Sequence, residues 1–466
     1  MPNRVTGSTE VIGGAAALPG GNKMVYVIGG RGISQPSQDE NVPFDVISTA
    51  DAADKWGSGA PAIDVVKTLI SLGVSQIRGV RTRKPGVQST ELLVEGTVTT
   101  SGNASSIVTA AGMTGSPVTV TIAVVAGDTA EVAADKMRAA LKANTNVAAF
   151  FEISGRGKRV VLTAKTAAEN DDTMNFTLEE VGTSAGLTPV TTSDNTLPVA
   201  EAQTYDDALD SLAREDHQQA IIVVDTDSDV PHAAIISHLT TAEADDKFRY
   251  AVIGMTPEAS NPEYTARAAT FAASKRVFMV GPNPIDANGI PVKGYIAAAA
   301  FAAKLATETS DPALPLNGVT FDNGFSGVER VLASVERSAF ITAGVTPLVG
   351  INGVPSIYRA VTCSSDATWK EVTTVMIADY VLISVMDRIK ANYKRTKNVV
   401  RILNAMRTDV IDVLDTINGL EIIENFDPKT VVVSRDPSDT YGALISYDFD
   451  VVTPLYTVTI TQRMKV

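Results

Sequence analysis

The chain is poor in the residues from which catalytic and metal sites are usually built. Its 466 residues include one cysteine and three histidines. A single thiol, Cys363, excludes an intramolecular disulfide. It closes the apolar stretch Ile357–Val361, which predicts a buried structural thiol rather than a nucleophile. His217, His232 and His238 fall in no H-E-x-x-H or H-x-x-E-H spacing, so no histidine metal site is expected. No G-x-S-x-G, P-loop or paired-acid motif stands out, and no catalytic residue, cofactor or metal is assigned. No apolar run reaches the roughly 18 residues of a spanning helix, so no membrane insertion is expected. Met1–Gly7 has no apolar segment of the kind that forms a secretory signal. A net charge of −14 argues against wholesale nucleic-acid binding.

Two local patterns invite a ligand and fail on context. Gly57-Ser58-Gly59-Ala60-Pro61-Ala62 fits the loose form G-x-G-x-x-A. A dinucleotide site needs that pattern directly after a strand, and here a helix over Ala50–Trp56 comes first. About twenty residues on stand Arg78 and Arg81, with no acid for a ribose. Asp225-Thr226-Asp227-Ser228-Asp229 opens like a calcium loop, but its sixth position is Val230 instead of Gly and its twelfth is Ile236 instead of Glu. A strand-end loop leading into a helix is the better reading.

What the sequence does contain is enough apolar residue, 44%, for several cores, and a clear organisation. The fold class read from it is α/β and multi-domain: a mainly parallel α/β core, an inserted β-rich domain, and a C-terminal α+β part ending in donated strands. In the core (23–90 and 198–362), apolar runs at Val25–Ile28, Ala220–Val224, Tyr250–Ile253 and Val277–Val280 are separated by helical patterns, as in parallel strands covered on both faces. Pro61 starts a helix whose face is Ile63, Val66, Leu69 and Ile70. Residues 91–197 are rich in Thr, Val, Ser and Gly. They predict strands at 92–99, 118–125, 150–153, 160–163 and 176–181, with one helix over Ala130–Asn144. A helix is expected over Val328–Ala343, then a hairpin turning at Asn352-Gly353.

The C-terminal part, 363–466, predicts helices over Trp369–Lys394 and Val399–Ile417, then strands at 430–434, 443–452 and 455–461. In the first helix Val372, Val375, Met376, Leu382, Ile383, Met386, Ile389 and Tyr393 form a stripe expected to pack in a core. The last segment alternates: Val458 and Ile460 fall on one face, Thr457, Thr459 and Thr461 on the other. The N-terminal arm, residues 1–22, has a similar segment containing Val5 and Val11, set off by glycine pairs. A terminal strand either pairs at home or is donated to the sheet edge of another copy, and the second option makes a polymer. From Arg388 to Arg407 the chain carries Arg388, Lys390, Lys394, Arg395, Lys397, Arg401 and Arg407 with no acid among them. A basic patch on an acidic protein suits an acidic partner, or is a solvated face balanced by neighbours in space.

The segments Val25–Gly30, Phe44–Gly57, Ile77–Arg81, Glu336–Leu348 and Gly353–Thr362, in this order and followed by a helix pair and terminal strands, resemble the tail sheath proteins of contractile bacteriophages and phage-tail-like bacteriocins, in the Mu-like branch. The resemblance covers most of the chain outside 91–197. It implies a non-enzymatic subunit of a six-fold helical sleeve around a tail tube, assembled extended and later contracting to drive the tube through a bacterial envelope. Its implied partners are itself, the tail tube protein, and baseplate and tail terminator proteins, with no direct nucleic acid. Its implied location is the virion tail, assembled in the host bacterial cytoplasm. In that setting Arg388, Lys390, Lys394, Arg395, Lys397 and Arg401 become candidate tube contacts. Val5, Val11, Tyr456, Val458 and Ile460 become candidate residues of donated strands. Two other readings stay open: an α/β enzyme with an accessory β domain, and a non-contractile self-assembling structural protein.

Overall fold

A computed structural model describes residues 23–32, 36–82, 88–155, 157–165, 171, 173–179, 187–190, 201–439 and 441–456. Both terminal arms, with Val5, Val11, Val458 and Ile460, lie outside these residues; Tyr456 lies inside them.

The chain opens with β1 (Met24–Gly29), β2 (Phe44–Val46), α1 (Thr49–Trp56), α2 (Pro61–Ser71) and β3 (Ile77–Arg81). Ser48 caps α1 by accepting from Asp51 N at 3.0 Å. In α2 the buried face is Ala62, Val65, Val66 and Leu69, while Ile70 is exposed. The expected face is thus rotated by about one residue, because Ala62 and Val65 are the side chains that meet the sheet. The region 88–190 contains β4 (Ser89–Gly96), β5 (Gly102–Thr109), β6 (Val118–Val124), α3 (Ala130–Ala143), α4 (Thr145–Phe150), β7 (Phe151–Ser154), β8 (Arg159–Ala164), β9 (Asn175–Glu179) and β10 (Leu187–Val190). The core then resumes with α5 (Glu201–Ala213), β11 (Gln219–Val224), α6 (His232–Ala244), β12 (Phe248–Ile253), α7 (Asn261–Thr270), β13 (Val277–Gly281), β14 (Pro284–Asp286), α8 (Gly294–Glu308), β15 (Phe325–Val328), α9 (Ser334–Ala343), β16 (Val345–Ile351) and β17 (Val354–Ile357). The chain ends with α10 (Val372–Asn392), α11 (Val400–Gly419), β18 (Ile423–Glu424), β19 (Val432–Arg435), β20 (Ala443–Ser446) and β21 (Asp450–Val451).

The centre is an eight-stranded sheet in the order β17-β16-β13-β12-β11-β1-β3-β2. From β3 through β16 neighbouring strands are parallel; β2 and β17 pair antiparallel at the two edges. Helices α2 and α8 cover one face, where Trp56, Tyr250 and Phe278 are buried. Helices α5, α6 and α7 cover the other, around Tyr26, Tyr264 and Phe271. Parallel strands need this double cover, and it explains why their sequences are continuous apolar runs.

The 88–190 region has its own apolar core, between a four-stranded sheet (β10-β4-β8-β7), a three-stranded sheet (β6-β5-β9) and α3. In β6, Val118, Val120, Ile122 and Val124 are buried and Thr119, Thr121 and Ala123 are exposed. Strand β5 has no such signal. It is the central strand of its sheet, and its core positions are Ala104, Ser106 and Val108, small residues that fit between two paired neighbours.

Two further expectations are corrected. Residues 329–333 are not helical. Glu329 accepts from Asn283 N (3.2 Å) and Glu258 N (2.9 Å), and Arg330 bonds the Ala259 carbonyl and Asn261, so tertiary hydrogen bonds take this segment and α9 starts at Ser334. The predicted strand 443–452 is broken at 447–449 into β20 and β21, which pair with different partners.

Candidate assembly interface

Helices α10 and α11 form an antiparallel pair. Its base, with Ile377, Tyr380, Val381, Val410, Val413 and Ile417, is a buried core. Toward the turn the pair leaves the body. Leu382 is exposed, Ile383, Met386 and Ile389 are half-buried, and Val400 is 65% exposed. The stripe is buried at Val372, Val375 and Met376 and packs on the C-terminal core again at Ile389, beside buried Val385; Leu382 is its exposed member. At the turn itself, the tip of the pair, Val399 and Val400 stay exposed, apolar side chains beside the cations.

The cations crown this tip. Lys390, Lys394, Arg395, Lys397 and Arg401 are exposed, and Arg388 is half-buried. Arg395 adopts φ +59°, the left-handed conformation that reverses the chain between the helices. Among the described residues none of these side chains makes an ion pair with a carboxylate. Lys390 lies in the last turn of α10, where it complements the helix dipole. Arg401 lies in the first turn of α11, where no acid offsets it and a cation is unfavourable unless an anion is near. Arg407 leaves the patch: its guanidinium donates to the carbonyls of Val431 (2.7 Å) and Pro428 (2.8 Å), tying α11 to the segment before β19. Asp409 is also taken internally, accepting from Asn392 (3.0 Å) and the Tyr393 hydroxyl (2.7 Å) across the pair. Asp412 and Asp415 remain exposed.

Beside the tip, among the described residues, β19 pairs only with β20, and β18 only with β21. Each two-stranded sheet has open edges among the described residues, and Val432 and Leu444 face outward from the first. Its turn packs on the tip, with Asn398 donating to the Gly442 carbonyl at 3.0 Å, and Tyr441 stands 93% exposed there. Both strand pairs pack on the C-terminal core and keep unpaired backbone edges among the described residues.

The roots of both arms are fixed. Lys23, the first described residue, is buried, and its Nζ donates to the Thr309 carbonyl (2.8 Å) and hydroxyl (2.5 Å) at the end of α8. Tyr456 is not within a strand. Its hydroxyl donates to Glu371 at 2.8 Å and its ring lies under the Arg359 guanidinium at 4.6 Å, while Arg359 also bonds Glu371 through Nε at 3.0 Å. Sequence reasoning missed these anchors, since nothing local signals a contact between positions so far apart in the chain.

The crevice where ligands bind in open α/β sheets, between β1 and β11 at their C-terminal ends, is occupied by the protein itself. Asp225 follows β11 and accepts from Gly30 N at 2.9 Å; it also takes a backbone hydrogen bond from Ala62 in the first turn of α2. A carboxylate thus sits at the helix N-terminus where a phosphate would. Burial pushes its carboxyl up to about 7 against these bonds. A Cβ on Gly29 would stand 2.7 Å from that carboxylate, and one on Gly32 would stand 2.2 Å from the Gly57 carbonyl. The structure places Gly57–Ala62 at this crevice after all, and fills it. Among the described residues no cluster of His, Cys, Asp or Glu is arranged to hold a metal. Cys363 is buried.

Residues 364–465 match the family model described as the phage tail sheath C-terminal domain. The helical sheath of the anti-feeding prophage, solved in its contracted state, superimposes over 100% of both chains with a TM-score of 0.58 at 10% identity. The chain has a tail sheath fold. The same sheath fold is found in the sheath tail protein of Listeria innocua, with a TM-score of 0.56 and 12% identity over 95% of this chain and 96% of that one. The sheath tail protein of Desulfitobacterium hafniense gives 0.51 and 13% over 93% and 97%. No curated protein matches the sequence. Helices α10 and α11, the basic tip and the open strand pairs all belong to the segment that matches the sheath family.

Proposed function

We propose that this protein is the structural subunit of a contractile tail sheath. It polymerises as a six-fold helical sleeve around a tail tube and contracts to drive the tube through a bacterial envelope. The match of residues 364–465 to the phage tail sheath C-terminal domain carries this reading, and the full-length sheath fold supports it. The role is structural and needs no catalysis. The partners are further copies of the chain, the tail tube protein, and baseplate and terminator proteins. The site of action is a virion tail assembled in the host bacterial cytoplasm.

Two surfaces serve this role. The open edges of β18–β21 and β19–β20 receive strands from neighbouring copies, supplied by the segments containing Val5 and Val11 and containing Val458 and Ile460. Tyr456, held by its own subunit, marks where the donated C-terminal strand begins. Backbone pairing is indifferent to side chains, so subunits shift while their strands stay paired. Each hydrogen bond contributes about 1 kcal/mol net, and repetition around the ring makes the sum large. The basic tip, with Arg388, Lys390, Lys394, Arg395, Lys397 and Arg401, grips an acidic tube wall. The 91–197 insert decorates the outer surface, away from the sliding lattice.

Electron microscopy of the purified particle tests the reading. A contractile sheath appears as hollow sleeves of two lengths. A lattice of one length only would make the protein a static scaffold, and a persistent monomer would refute assembly. Deleting 456–466 is expected to leave a folded monomer that forms no sleeves; normal sleeves from this truncation would remove strand donation by the C-terminal arm.

A further inference from the structure

A groove of about 340 Å³ runs beside the point where the C-terminal arm leaves the body. Its lining includes Ser338 and Ile341 of α9, Val349 and Ile351 of β16, Tyr358, and Tyr456 itself. Ile351 and Tyr358 are each 44% exposed in it, beside the polar Asn317, Ser338 and Arg359. Val349 and Ile351 are two residues apart on one strand and project from the same face, about 6.8 Å apart.

The occupant that fits is the chain's own continuation. Tyr456 forms part of the wall and is pinned there by Glu371 and Arg359. Ten residues follow it, Thr457 to Val466, with a reach of about 33 Å when extended. Val458 and Ile460 have the same two-residue spacing as Val349 and Ile351, and they begin one step beyond the pinned ring. A segment tethered this closely meets the groove at an effective concentration on the order of millimolar, far above that of any second copy at micromolar protein.

We propose that in the free subunit residues 457–466 lie in this groove of their own chain, and that assembly transfers them to a neighbour. The inference rests on the sheath reading for its purpose. A strand parked at home is unavailable for donation, so subunits stay apart until a growing lattice offers an open edge. The transfer exchanges one apolar and backbone contact for another, and the Tyr456 anchor remains in place throughout.

The experiment pairs a cross-link with a rate. In dilute full-length protein carrying Ile351→Cys and Ile460→Cys, mild oxidation is expected to give a disulfide within one chain, read by non-reducing electrophoresis and peptide mass. Cys363 is buried and stays out of the reaction. In the otherwise native chain, Ile351→Asp replaces an exposed side chain and leaves the fold intact. It is expected to shorten the lag before polymerisation by about tenfold or more, because the competing site is lost. A disulfide between chains, no disulfide, or an unchanged lag would overturn the parked strand. Failure of the native chain to polymerise under any condition would overturn the sheath reading instead, and the cross-link would still report on the groove by itself.

Discussion

Asp379→Ala tests how firmly the C-terminal helices are joined to the sheet. Asp379 of α10 is 5% exposed and accepts two bonds from Arg276, at 2.5 and 2.8 Å, and one from the Tyr250 hydroxyl at 2.5 Å. Arg276 is 2% exposed. Without Asp379 its nearest remaining anion is Glu243 at 3.0 Å, a side chain open enough to water to be partly screened. Breaking a buried pair by removing one partner costs about 3–5 kcal/mol, and the stranded Tyr250 hydroxyl adds about 1 kcal/mol or more. A loss of about 4 kcal/mol is therefore expected. The triple change Arg276→Met, Asp379→Leu, Tyr250→Phe removes every stranded group and is expected to fall within about 1 kcal/mol of the native chain. Urea unfolding followed by tryptophan fluorescence reads both sides of the joint. Trp56 is buried under the sheet, and Trp369 stands before α10 with Lys275 over its ring at 4.4 Å. If Asp379→Ala costs less than about 1 kcal/mol, the joint is not held by this network.

Reversing Lys394, Arg395 and Lys397 to Glu is expected to weaken attachment of the sheath to tubes while sheath–sheath pairing survives. Raising salt should mimic the change by screening, and unchanged salt tolerance in a co-sedimentation assay would exclude this tip as the grip. Burial and the nearby Arg249 lower His238 to about 3; its Nε2 contacts Arg249 at 2.8 Å. Its folded pKa lies below the unfolded value near 6.5, so its contribution is full above that value and is lost as pH falls. The stability gap between native and His238→Gln chains should therefore shrink by about 2 kcal/mol from pH 7 to pH 5, and a constant gap refutes a neutral buried imidazole. Replacing 91–197 by a short Gly/Ser bridge is expected to preserve folding and polymerisation; an insoluble product would show that the boundary or the outer placement is wrong.

What the sequence made legible was periodic burial. Ala220–Val224 reads as a strand because both of its faces are covered, and β6 reads as one because a single face is. Asn352-Gly353 reads as a turn because both residues adopt positive φ, at 50° and 80°. Strand β5 was invisible because its core positions, Ala104, Ser106 and Val108, are mostly small residues with no strong apolar alternation. Leu382, expected in the α10 core stripe, stays exposed: helical spacing reports a face and not what covers it. The basic tip was visible as a run of charge, yet the inward turn of Arg407 depends on backbone carbonyls more than twenty residues away. The anchors were beyond reach for the same reason. Lys23 with Thr309, Asp225 with Gly30, and Arg276 with Asp379 are single polar contacts across long stretches of chain, and no local pattern encodes them.

The two anchored arm roots lie along one helix. Lys23 lines a small void with Thr309, Met376 and Tyr380, and Tyr456 is held by Glu371, the N-cap of α10. Glu371 and Tyr380 are separated by about 14 Å of helix rise. In a lattice joined through both arms, tension from one neighbour enters at one end of this short span and leaves at the other. That span runs from Lys23 and the end of α8 to Glu371 at the start of α10, with β1 attached directly at Met24. On the sheath reading, neighbours joined through both arms would pull on two points close together in the subunit, and the 88–190 region, with its own core, lies outside that span.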